Sequence, residues 1–200
     1  MRKLCALALL TATLAVAGFG CADDDSDGDT TTPPTTAGTT TNGTTTEASD
    51  DFGTDPVVAE ASGEEISLHE SLRLGRNEGF DRVVFQFRNG VPGYRVEYVE
   101  PPLREDGSGN EVSIDGEAFV VIRMEPASGF DLTTGEGELV YTGPRRLSGS
   151  DAGTSVISEV VRTGDFEAVL TWAVGVHERV GFRVSTLDNP ARLVVDFSTD

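Results

Sequence analysis

Two hundred residues with a formal net charge of −19 and only two cysteines, Cys5 and Cys21, exclude several classes at once. Acids outnumber bases 34 to 15, so the chain lacks the basic footprint that nucleic-acid phosphates or anionic lipid headgroups require. Past Lys3, the only lysine, the balance is 34 acids against 13 arginines, or −21, which favours solubility.

In chain order, Met1-Arg2-Lys3 is a short positive start, followed by an apolar run over residues 4–19. That run is too short and too near the N-terminus for a membrane-spanning helix and reads as an export signal. It closes on Gly18-Phe19-Gly20-Cys21, with acidic residues directly after. This resembles a bacterial lipoprotein signal, in which cleavage leaves the cysteine acylated at the new N-terminus. Small Gly20 suits the position before the cysteine; Gly18 and Phe19 depart from the usual Leu and small residue. The alternative is an ordinary secretory signal cut nearby. Residues 1–20 are thus the expected signal, Cys21 the expected lipidation site and the bilayer the expected partner through its acyl chains. Cys5 would leave with the signal, so no internal disulfide is expected.

Residues 21–55 are expected to form a disordered tether. Apart from Phe52 the stretch after Cys21 has no aromatic residue and no Leu, Ile, Val or Met, and it holds eleven threonines from Thr30 to Thr46. Such a chain cannot offset its ordering entropy by burial. Its reach is about 30–35 Å root-mean-square. The Thr tract offers sites for O-glycosylation, and Asn42-Gly43-Thr44 matches the N-glycosylation pattern. Asp23, Asp25, Asp27 and Gly28 imitate the opening of a calcium loop, but position twelve is Pro34 and no bidentate acid closes it. An acidic, repulsive spacer is the simpler reading.

From residue 56 to 200 the pattern changes to short β runs separated by turn residues, and one all-β domain is expected there. Strands are predicted over residues 66–68, 72–74, 82–87, 94–99, 118–124, 156–161, 166–176, 182–187 and 192–197. Turns are predicted at Asn89-Gly90, Pro92-Gly93, Asp106-Gly107, Asp115-Gly116, Thr163-Gly164-Asp165 and Asp188-Asn189-Pro190. Asp115-Gly116 is the best tight-hairpin candidate. The Gly-rich residues 126–152 read as a long excursion with room for one edge strand. Many short strands at this spacing imply a sandwich or barrel.

The closing stretch, Phe182-Arg183-Val184-Ser185-Thr186-Leu187-Asp188-Asn189-Pro190 followed by Ala191-Arg192-Leu193-Val194-Val195-Asp196-Phe197, resembles the end of the AMIN domain. That β-sandwich module occurs in cell-wall amidases and secretin-type envelope proteins. Residues 79–87 resemble its early strand. Residues 92–99, Tyr141-Thr142-Gly143-Pro144 and residues 162–167 resemble the AMIN-like lipoproteins of actinobacteria. The resemblance implies an AMIN-like β-sandwich, an extracytoplasmic location, and wall targeting by binding peptidoglycan or neighbouring proteins. It brings no catalytic or ligand residues with it, and the amidase catalytic domain is expected to be missing because the sequence stops at Asp200. Residues 82–87 and 192–197 also resemble each other, either as a pseudo-repeat that would suit two similar packed sheets or by chance.

Little in the sequence points to catalysis, a cofactor or a metal. His69 and His177 are the only histidines; Arg73 and Gly181 stand four residues on, so the zincin pattern fails twice. With no cysteine in the domain a zinc site is not expected, and the hydrolase elbow is absent. Carboxylates are plentiful, so counting leaves a glycoside-hydrolysis pair open. Trp172 shares a strand face with Leu170 and Val174 and is expected in the core. Tyr94, Tyr98 and Tyr141 are candidates for stacking on sugars, with rim packing as the alternative. Arg145-Arg146 is the one basic doublet of the domain, a candidate grip for a carboxylate or a plain solvated turn. A non-catalytic wall-binding module is the first expectation. A protein-interaction subunit using an open sheet edge is the second, and an enzyme acting on wall glycans the third.

Overall fold

Two-residue periodicity decides which side of each strand is buried. The computed structural model describes residues 51–133 and 135–200. The expected signal, Cys21 and the tether up to residue 50 lie outside the described residues. The elements are β1 (Val57–Ala59), β2 (Ser67–Asn77), β3 (Phe80–Arg88), β4 (Gly93–Val99), β5 (Ala118–Glu125), β6 (Ala127–Ser128), β7 (Phe130–Asp131), β8 (Glu138–Leu139), β9 (Arg146–Ser148), α1 (Gly149–Ala152), β10 (Ile157–Phe166), β11 (Val169–Val176), β12 (Phe182–Leu187) and β13 (Ala191–Ser198).

They form two main sheets. One has six strands in the order β1-β4-β5-β11-β10-β9, and the other five in the order β12-β13-β3-β2-β6. Every pair is antiparallel except β2 with the short β6. The fold is therefore the expected all-β sandwich. Val83, Phe85 and Phe87 of β3 join Leu193, Val195 and Phe197 of β13 in one core with Val120, Ile122, Leu170, Trp172 and Val174 of the six-stranded sheet. Trp172 is fully buried, as its strand phase predicts, and meets Phe85 edge-on at 6.0 Å across the sheets. A second apolar cluster lies on the outer face of the six-stranded sheet. There Leu103 and Ile114 of the connection after β4 cover Val161 and Ala173. Ordered contacts begin ahead of Pro56: Gly53 pairs with Phe182, and Phe52 packs beside Phe80.

Five sequence expectations change. The pieces at 66–68 and 72–74 belong to one strand, β2, with an irregularity between His69 and Ser71 that shifts the register. Thr163-Gly164-Asp165 is strand interior. Gly164 serves close approach, since a Cβ there would run into the Asp106 carboxylate, and the reversal comes at Glu167-Ala168, both at positive φ. Asp115-Gly116 joins no hairpin. It crosses β11 at Gly175, where a side chain would strike the Asp115 carbonyl, and β5 pairs with β4 and β11 instead. The 126–152 excursion supplies two edge strands, β6 and β9. The similar stretches in β3 and β13 are direct neighbours in one sheet, with Arg82 opposite Asp196, so they are not counterparts in two sheets.

Candidate ligand-binding face

Several charged residues in the stretches that carry the family resemblance turn inward or seal each other. Asp196 on β13 accepts from Arg82 Nε at 2.6 Å and Nη2 at 2.8 Å, and from Arg183 Nε at 3.0 Å. Arg183 also lies 4.6 Å from the centre of the Phe52 ring. Asp81, the neighbour of Arg82, is fully buried and faces the other way. Its Oδ2 accepts from the backbone N–H of Ser155 and Val156, both at 2.6 Å, and of Ile157 at 3.3 Å. That carboxylate fastens β3 to the start of β10, and so one sheet to the other.

Two of the three predicted tyrosines, Tyr94 and Tyr141, are buried, and the third, Tyr98, is half-buried. Tyr94 sits on the core side of β4, 8% exposed, and burial pushes its hydroxyl above the usual range. Tyr141 is 3% exposed and stacked on the His69 ring at 4.4 Å, with its hydroxyl donating to the Pro144 carbonyl at 2.8 Å. Arg162 caps the Tyr141 ring at 5.5 Å. Tyr98 is half-buried at the rim. Its hydroxyl donates to the Val180 carbonyl and accepts from the Val180 N–H, and Arg179 covers its ring at 4.2 Å. Strand alternation set Tyr94 and Tyr98 on one face; the sheet packing decided that this face was inward. Rim packing is the role Tyr98 takes. Beneath Tyr141, His69 is wholly buried among Phe85, Phe87 and Trp172, and desolvation pushes its pKa down to about 4, with the Arg162 charge adding a smaller push.

The arginine doublet fares differently. Arg146 is occupied by Glu159 and by the Ser113 carbonyl. Arg145 donates to the Arg162 carbonyl at 3.0 Å and to Glu105 at 2.6 Å. It lines a recess of about 290 Å³ with Asp106, Gly107 and Phe166. Asp106 accepts from the Thr171 hydroxyl at 2.5 Å, which fixes the recess floor. Hydrogen bonds from the Ser108 hydroxyl and then from Arg145 hold Glu105 below the usual carboxylate range. Phe166 is 58% exposed, and sequence reasoning missed it. The register shift between Arg162 and Gly164 rotates the end of β10, so that Phe166 faces solvent while Asp165 turns to Ser128 and Gly129.

A second groove, about 460 Å³, lies at the β1–β4–β5 end of the same sheet and includes Val58, Arg95, Arg123 and Glu125. Arg95 and Arg123 stand directly opposite each other across β4 and β5. Two like charges there would repel. Each is neutralised along its own strand, Arg95 by Glu97 through two bonds of 2.7 Å and Arg123 by Glu125 at 3.1 Å.

Among the described residues no group of three or more His, Cys, Asp and Glu side chains is placed to hold a metal ion. Ser158 and His177 Nδ1 meet at 3.0 Å on the exposed surface. The family model for the AMIN-like domain matches residues 67–199. The chain belongs to the AMIN-like domain family. The match takes in every strand of both sheets of the AMIN-like sandwich except β1, and all of the residues lining the Arg145 recess. Neither a curated protein nor a solved structure matches the chain. AMIN-like domains are typically extracytoplasmic, and no helix among the described residues is long and apolar enough to cross a membrane.

Proposed function

We propose that this AMIN-like protein is a lipid-anchored, non-catalytic envelope module that binds peptidoglycan or another wall polymer. The family supports a wall-related binding role. The observation that carries the reading is the recess in which exposed Phe166 stands beside Arg145, an apolar ring next to a charged hydrogen-bond donor. The full chain should sediment with isolated cell wall at low salt. A chain that stays in the supernatant would remove the wall-binding reading. For the anchor, Cys21→Ser should move the protein from the membrane fraction to the soluble one; unchanged membrane association would count against acylation at Cys21.

The protein-interaction reading would work by strand addition. The six-stranded sheet ends on β1 and β9, each of three residues, which offers a partner strand little backbone to pair. In-cell crosslinking to one protein, with no wall sedimentation, would favour it all the same.

A further inference from the structure

We infer that the two recesses on the outer face of the six-stranded sheet are ends of one track, which holds an uncharged linear glycan lying across the strands. The inference rests on the wall-binding reading and names the ligand class and the surface that takes it.

The strand register places both recesses on adjoining rungs. Val58 is opposite Arg95, Arg95 opposite Arg123, Arg123 opposite Thr171, and Thr171 opposite Gly164. On the next rung Gly93 is opposite Glu125, and Val169 is opposite Phe166. These side chains alternate with the core residues Val96, Ile122, Met124, Leu170 and Trp172, so they share the outer face. Four strand-to-strand steps from β1 to β10 span about 19 Å, long enough for several linked pyranose rings. The other half of this face is covered by Leu103 and Ile114. Asp106 of that connection also covers Thr171 and Gly164, so what remains open is a strip through Arg95, Arg123, Glu125, Val169 and Phe166, bounded on one side by that connection.

Charge selects the ligand. The residues lining the two recesses include four arginines (Arg95, Arg123, Arg145 and Arg162) against five acids (Glu60, Glu125, Glu105, Asp106 and Asp165). The whole sequence has 15 basic residues against 34 acids. A strip near neutrality on a strongly acidic protein has no electrostatic pull for a polyanion and little for a cation. It does have paired donors and acceptors. Each exposed Arg–Glu pair puts guanidinium N–H groups next to carboxylate lone pairs, which matches neighbouring hydroxyls or an acetamido group on a sugar. Exposed pairs of this kind contribute little to the fold, so exchanging partners with a ligand costs little. Phe166 supplies the apolar face on which a sugar's C–H groups can lie.

The test titrates the full chain with tetra-N-acetyl-chitotetraose and with di-N-acetyl-chitobiose, alongside wall sedimentation. The tetramer should bind about tenfold more tightly than the dimer, because it engages both recesses at once. Phe166→Ala lies at the β10 end of the strip and Arg123→Ala at its middle, on β5, and each should weaken tetramer binding about three- to tenfold, with circular dichroism and melting temperature unchanged. Phe166→Tyr should retain binding. Equal affinity for dimer and tetramer would overturn the track, and so would wall sedimentation that persists in both alanine variants without tetramer binding, while leaving the wall-binding reading in place. Loss of both sedimentation and sugar binding in the unaltered chain would overturn both.

Discussion

On the outer face of the five-stranded sheet, Asp196 keeps 3% of its side chain in solvent and is gripped by two arginines from the strands on either side. On the outer face of the six-stranded sheet, Arg123 and Glu125 keep 47% and 59% of theirs. Both faces use the same residue types, and both pair charge with charge. The enclosed pair is held by its neighbours and has no capacity left for a ligand. The open pairs are weak as structure, and for that reason they are available to something else. Burial, more than residue identity, separates a carboxylate that holds a fold together from one that can meet a partner.

The contrast breaks most readily at the enclosed carboxylates. Asp81→Ala leaves three backbone N–H groups without their acceptor and should cost about 3 kcal/mol or more in urea unfolding. Asp196→Asn should cost about 2–3 kcal/mol, less because Arg82 and Arg183 can return to water. A loss below about 1 kcal/mol in both would mean that these sites are not what ties the elements together.

His69 sharpens the same point with pH. Its folded pKa of about 4 lies below the ordinary 6.5. Between those values the unfolded chain binds the proton more readily than the folded one, so stability rises with pH in that window. The contribution is full above about pH 6.5, falls as the pH drops, and is lost below about 4; the whole effect is about 3 kcal/mol. Unfolding free energies measured from pH 7 to pH 4 should fall more steeply for the wild type than for His69→Phe as the acid is added. Parallel curves would show that His69 titrates normally.

The smallest effect belongs to the open face. Arg123→Ala and Glu125→Ala should leave the melting temperature where it is, within experimental scatter. A marked drop for either would place these pairs among the structural ones and undo the comparison.

Much of the architecture is legible from the residues alone. Alternation in Tyr94, Val96 and Tyr98, and the shared phase of Leu170, Trp172 and Val174, mark strand faces because the side-chain period is two whatever the strand packs against. The Gly164 and Asp115-Gly116 readings failed for one reason. A glycine required by a turn and a glycine required by a passing chain look the same in sequence, and only the approach of Asp106 or of β11 tells them apart.

The candidate site divides along the same line. Composition and strand period by themselves determined an acidic chain, an all-β domain and a buried Trp172, because these depend on local chemistry. Which face of β4 is inward, that Tyr141 lies on His69, that Phe166 emerges beside Arg145, and that Arg95 and Arg123 align were decided only by tertiary structure. The strand residues depend on the register between strands, where one residue of slip would send every side chain of a strand to the opposite face, and Tyr141 on the path of the loop between β8 and β9.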